Sequence, residues 1–176
     1  MDLSTEEQAF IDKVAAKAGD YEAEAISCAQ GTLVALMEEF NLPCTEQMVS
    51  AMSFMPGMAS RDETCGAMVA GLAVLGMLNG RSKLSDPSYS TPEGKAAFFK
   101  SREQAYRFCE EFKQKIGSTM CGDIRRSLFG RTYNTFIPEE FEQLVADGAQ
   151  QKCRAPAEAA ARIAASIILE DRRKSS

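Results

Sequence analysis

The chain has 176 residues, with 20 Lys and Arg against 25 Asp and Glu, and it contains no histidine and no tryptophan. A net charge of -5 argues against nucleic acid as a partner, because phosphate binding needs a basic surface. The missing histidine excludes Ser-His and Cys-His catalysis, HExxH zinc sites and histidine-ligated haem.

Hydrophobic residues make up 45% of the chain. A domain of this length buries roughly two-thirds of its unfolded surface and needs no disulfide or metal to fold. One helical domain over residues 1–176 is therefore expected. The start, Met1-Asp2-Leu3-Ser4-Thr5-Glu6-Glu7, lacks the basic and apolar segments of a signal peptide. The apolar run Ala67 to Leu78 is too short and too glycine-rich to insert in a membrane. The expected location is the cytoplasm, where thiols stay reduced.

In chain order, Ser4 and Glu7 read as a capping box ahead of a helix to about Ala18. Gly19-Asp20 is expected to break that helix, with Asp20 capping a second one. There Tyr21, Ala25, Cys28, Ala29, Leu33, Leu36 and Phe40 recur at helical spacing, which puts Cys28 mid-helix on the buried stripe. Pro43 ends the element. Thr45 caps a short helix from Glu46 to about Phe54, and Met55-Pro56-Gly57 is a turn. Residues from about Glu63 to Leu78 are apolar on all sides and predict the central, buried helix. Its Gly66, Ala67, Ala70, Gly71, Ala73 and Gly76 are small, either for close helix packing or to leave room for a cofactor or partner beside Cys65. Gly66 and Ala67 are the cofactor-binding candidates.

Arg81 to Ser90 reads as a loop. Thr91-Pro92-Glu93 opens a long helix that Gly117 stops. Ser118 caps the next, to Phe129. Thr132 to Ile137 is a loop with no partner strand, Pro138 opens a short helix ended by Gly148, and Pro156 starts the last. The predicted fold is all-α: a single compact helical domain around a buried Gly/Ala-rich central helix.

Six cysteines remain, at 28, 44, 65, 109, 121 and 153, with no CxxC pair, so neither a zinc ribbon nor a thioredoxin-type motif is present. Cys65, Cys121 and Cys153 fall near predicted helix starts, where partial positive charge favours a thiolate. Buried cysteine also serves as a plain small hydrophobe. Glu38-Glu39, Glu110-Glu111, the Arg125, Arg126 and Arg131 cluster and the Arg172, Arg173 and Lys174 cluster read as solvated helix faces or dipole partners. Met48, Met52, Met55 and Met58 read as core, with a partner groove as the alternative.

The pattern resembles a bacterial and archaeal family of redox-active proteins named C_GCAxxG_C_C, with four separated cysteines and a Cys-Gly-Ala-x-x-Gly signature. The residues that carry the resemblance are Cys28-Ala29-Gln30, then Cys65-Gly66-Ala67-Met68-Val69-Ala70-Gly71, then Cys121 followed by Leu128-Phe129-Gly130, and finally Cys153. They extend over about residues 20–165. One departure is that the signature glycine five residues after Cys65 is Ala70, with Gly71 next. Cys44 and Cys109 fall outside the pattern.

The resemblance implies redox activity at Cys28, Cys65, Cys121 and Cys153. The family is similar in part to split-Soret cytochromes, but without CxxCH or histidine that likeness concerns the fold and implies no c-type haem. Three readings stay open: thiol-disulfide or electron-transfer chemistry at these four residues, an iron–sulfur cluster or other metal held by the same four thiolates, and a helical interaction protein with inert cysteines. The redox partner, protein or small molecule, is unspecified, and the Gly/Ala-rich helix suits a homodimer.

Overall fold

Ser4 Oγ accepts from the Glu7 amide at 3.1 Å, and the Glu7 carboxylate accepts from the Ser4 amide at 2.8 Å. This capping box launches α1 (Thr5–Ala25) in the computed structural model, which describes residues 3–175. Met1, Asp2 and Ser176 lie outside the described residues.

α1 runs straight through Gly19-Asp20. Gly19 is the place where the Glu158 side chain packs against α1, and a Cβ there would collide with it. The break falls instead at Ile26, which takes a left-handed conformation at φ 50°, its amide donating to Glu22 O at 2.7 Å. A β-branched residue pays for such a conformation, so tertiary packing rather than local propensity sets this boundary. After Ser27, α2 (Cys28–Glu39) begins with Cys28 as its first residue. Cys28 is therefore at a helix start, not mid-helix. Gly31 lets the two helices touch closely, since a Cβ there would sit 2.8 Å from the Glu22 backbone nitrogen.

Thr45 caps α3 (Glu46–Ala51), accepting from Met48 N at 3.3 Å; the helix stops before the expected Phe54. α4 (Gly57–Ser60) is a single turn with φ of 57°, 48°, 60° and 63° at its four residues, a left-handed turn. Asp62 is left-handed too, at φ 58°. α5 (Gly66–Asn79) follows, with Cys65 at its N-cap. Thr91 caps α6 (Pro92–Ile116), and Gly117 closes it at φ 94°. Then come α7 (Cys121–Phe129), α8 (Pro138–Ala146), α9 (Ala149–Lys152) and α10 (Arg154–Ser175).

Among the described residues there is no strand, only an isolated antiparallel bridge between Thr64 and Met120. The fold is all-α. Among the described residues, no helix is long and apolar enough to cross a membrane.

One apolar core joins α1, α2, α5, α6 and α10, with Val14, Leu33, Leu36, Ala70, Val74, Phe108 and Ala164 fully buried. The buried positions of α5 extend as far as Leu75, and Met77 and Leu78 at its end are exposed. Its two later glycines differ. A Cβ at Gly71 would run into the Phe108 ring, whereas at Gly76 it would meet nothing within 4 Å. Gly71→Ala should thus destabilise by about 1–3 kcal/mol through overpacking. Gly76→Ala should stabilise by about 0.5–1 kcal/mol through helix propensity. Urea unfolding of the two variants checks the opposite signs. Met48 and Met52 pack against this core. Glu38 and Glu39 pair with Lys17, and Glu39 also with Lys13.

Candidate functional site

The four pattern cysteines line one cavity of about 270 Å³. Each sits at or immediately before the start of a helix. Cys28 begins α2, Cys65 caps α5, Cys121 begins α7, and Cys153 directly precedes α10. Cys44 is exposed, and neither it nor Cys109 lines the cavity. No two cysteines are joined in a disulfide.

Backbone pairing fixes two of these starts against each other. The Cys65 amide donates to Thr119 O at 2.9 Å, the Cys121 amide to Glu63 O at 2.6 Å, and the Gly122 amide to Asp62 O at 3.0 Å. The left-handed turn at Gly57–Ser60 lies against them. Even an added Cβ on Gly57 would lie only 3.5 Å from Cys121 Sγ. Gly66 has a similar role: a Cβ there would come within 3.0 Å of Cys28 Sγ and 2.9 Å of Pro56 Cα. Gly66 therefore brings Cys28 up to the head of α5, while Gly71 serves helix packing. Of the two uses expected of these small residues, close packing occurs at both positions, against Pro56 and Cys28 at Gly66 and against Phe108 at Gly71. Ala67 is fully buried, and its amide serves Cys65.

The sulfurs are electrostatically unequal. Cys65 is 3% exposed, yet its thiol is held below the ordinary value. The main cause is a hydrogen bond from the Cys28 thiol; the amides of Met68 and Ala67 and the charge of Arg125 add to it, against the cost of burial. Cys28 is pushed well above the ordinary value, because it gives up that hydrogen bond when it ionises and is buried beside Cys65.

Cys121 and Cys153 overturn the expectation that a helix start alone favours a thiolate. Burial pushes them up to about 11 and about 12 respectively, with the opposing pull of Arg125 too weak to compensate. Burial is the largest cause at both.

Two further residues belong to the cavity and were not singled out by sequence. Arg125 was read as part of a solvated cluster. Its side chain is 11% exposed, and its guanidinium donates to Asp62 Oδ1 at 2.8 Å and to Tyr133 O at 3.2 Å. It lies four residues after Cys121 on α7, one helical turn along, so it shares that residue's face. Glu22, on the last turn of α1, is 3% exposed, and its Oε2 has no hydrogen-bond partner. Burial and the nearby Cys65 push its carboxyl up to about 8, opposed by Arg125. The sequence signals available were the i, i+4 spacing for Arg125 and, for Glu22, an acid flanking the stripe that carries Cys28.

Among the described residues, no group of three or more Cys, Asp or Glu side chains is placed to hold one metal ion.

No curated protein and no solved structure matches the chain. One family profile does, over residues 26–167, and it spans all four cavity cysteines. By that match over most of its length, the chain belongs to the family described as "Putative redox-active protein (C_GCAxxG_C_C)".

Proposed function

We propose that the protein is a thiol-disulfide redox protein whose working couple is Cys65 and Cys28. The observation that carries this reading is the close approach of Cys28 to the head of α5, where an added Cβ on Gly66 would lie 3.0 Å from Cys28 Sγ, inside a cavity that Cys65 also lines. One partner is held toward thiolate and the other toward thiol, the division of labour between an attacking and a resolving cysteine.

The Cys65 thiolate attacks one sulfur of an external disulfide, RSSR. The S–S bond breaks, one RS⁻ leaves, and a mixed disulfide forms on Cys65. Cys28 then loses its proton and attacks Cys65 Sγ. The second RS⁻ leaves, and the Cys28–Cys65 disulfide closes. Two electrons pass from the protein to RSSR, and the reverse sequence reduces the couple. Cys121 and Cys153, kept protonated by burial, remain thiols during this cycle.

The test is anaerobic purification followed by absorption spectroscopy, iron and zinc analysis, and mass mapping after exposure to hydroxyethyl disulfide. The expected result is a colourless protein without stoichiometric metal, in which one internal disulfide, Cys28–Cys65, forms and is reversed by dithiothreitol. Stoichiometric iron or zinc, or oxidation that leaves Cys28 and Cys65 unlinked, would overturn the assignment.

A further inference from the structure

A buried thiol couple has a charge problem. Each thiolate that forms or departs places a negative charge in a space with little water, where like charges repel strongly. Glu22 is the sole carboxyl among the described residues lining the cavity. It is deeply buried, its Oε2 is unpartnered, and Glu22 perturbs the ionisation of Cys28, Cys121 and Cys153 while itself responding to Cys65. A buried carboxyl oxygen without a partner is costly, so its retention needs a reason.

We propose that Glu22 is the proton carrier of the sulfur site, giving its proton to the first thiolate that departs and then taking the proton of Cys28. This rests on the Cys28–Cys65 couple described above. At rest Cys65 holds the single negative charge, and Glu22 is protonated. When Cys65 attacks RSSR, the departing RS⁻ takes the Glu22 proton and leaves as RSH, so the charge moves to the Glu22 carboxylate. That carboxylate removes the proton from Cys28, whose sulfur attacks Cys65 Sγ. The second RS⁻ carries the charge out, and Glu22 is again protonated. The balance is one thiol, one thiolate and one disulfide giving one internal disulfide, RSH and RS⁻. The groups around Glu22 are Cys28 on α2, Cys65 at the head of α5, Cys121 and Arg125 on α7, and Cys153 before α10. The burial that keeps the Glu22 proton on to about pH 8 matches this role, because a carrier must be charged and uncharged within one cycle.

The test follows oxidation of the full-length protein by hydroxyethyl disulfide from pH 5.5 to 9.5, in wild type, Glu22→Gln and Glu22→Asp. Iodoacetamide alkylation of Cys65 is measured in parallel. Glu22→Gln should slow formation of the Cys28–Cys65 disulfide by roughly a hundredfold at pH 7 and abolish the inflection near pH 8, while the alkylation rate stays within about threefold. Glu22→Asp should keep an inflection and part of the rate. Infrared difference spectra of the wild type should show the protonated carboxyl band changing its apparent pKa between reduced and oxidised protein, a readout that needs no variant to fold. Wild-type closure of the disulfide, with an unchanged rate and pH profile in Glu22→Gln or a carboxyl band indifferent to oxidation, overturns the role of Glu22 alone. Failure of the wild type to form the disulfide overturns the couple as well.

Discussion

Cys65→Ser is expected to remove the fast thiol of the native protein, lowering its alkylation by iodoacetamide at pH 7 by on the order of a hundredfold. Cys65 alone combines a helix-capping position, two backbone amide donors, a thiol donor and a nearby guanidinium. The other cavity cysteines are held in the thiol form, Cys121 and Cys153 up to about 11 and about 12. The partner variants separate attack from resolution. Cys28→Ser keeps a hydroxyl that can donate to the Cys65 thiolate, so alkylation should persist while the internal disulfide cannot close. This variant should accumulate a one-to-one mixed disulfide with hydroxyethyl disulfide. Cys28→Ala removes the largest stabilising contact of the thiolate, so the alkylation midpoint of Cys65 should move to higher pH. Mass spectrometry of the trapped adduct and a pH series of alkylation rates read both effects. Equal alkylation of Cys65→Ser and the wild type would falsify the assignment of Cys65 as the nucleophile.

The second large effect is a stability that declines as pH rises through neutrality. Glu22 titrates at about 8 in the folded protein against an ordinary 4.5. Between these values the folded state binds more protons than the unfolded state, so unfolding free energy falls with increasing pH. The loss begins above the unfolded value and is complete just above the folded one. It amounts to roughly 4–5 kcal/mol at most for a shift of this size. Cys65 works in the opposite direction: its lowered pKa adds stability as pH rises from its folded value toward the ordinary thiol value. Urea unfolding at pH 5, 6, 7 and 8 should therefore give a falling series in wild type and a steeper one in Cys65→Ser if Cys65 ionises within that range. In Glu22→Gln the fall should largely vanish. A wild-type series that rises across the same range would contradict the burial of an uncharged Glu22.

Much of the fold is written in local chemistry. Ser4 with Glu7, Thr45, Thr91 with Pro92, and Gly117 act as read, because caps are decided within one helical turn. The four cysteines announce the site for a different reason: with no histidine in the chain, sulfur is the main nucleophilic chemistry left. What local chemistry hides is where tertiary contacts overrule it. Gly19 looks like a helix breaker but is an approach point for Glu158, and Ile26 looks like a helix former but is the break. That exchange moves Cys28 from the middle of one helix to the start of another. The left-handed run at 57–60 contains Met58 and Ala59, which favour ordinary helix when judged alone. Glu22 and Arg125 are hard to see in sequence because acids and arginines are mostly solvated, which outweighs the weak signal of their spacing from the cysteines.

The two-rung pairing that ties Glu63 and Cys65 to Thr119 and Cys121 has a consequence for biosynthesis. It closes a long chain excursion that contains all of α5 and α6. Loop closure of this kind is entropically costly and is repaid only when the enclosed helices pack. The sulfur asymmetry therefore cannot exist on a partly synthesised or unfolded chain, where all six thiols titrate alike. The emerging polypeptide carries ordinary cysteines, and Cys65 becomes distinct only when α2, the head of α5 and α7 come together around it.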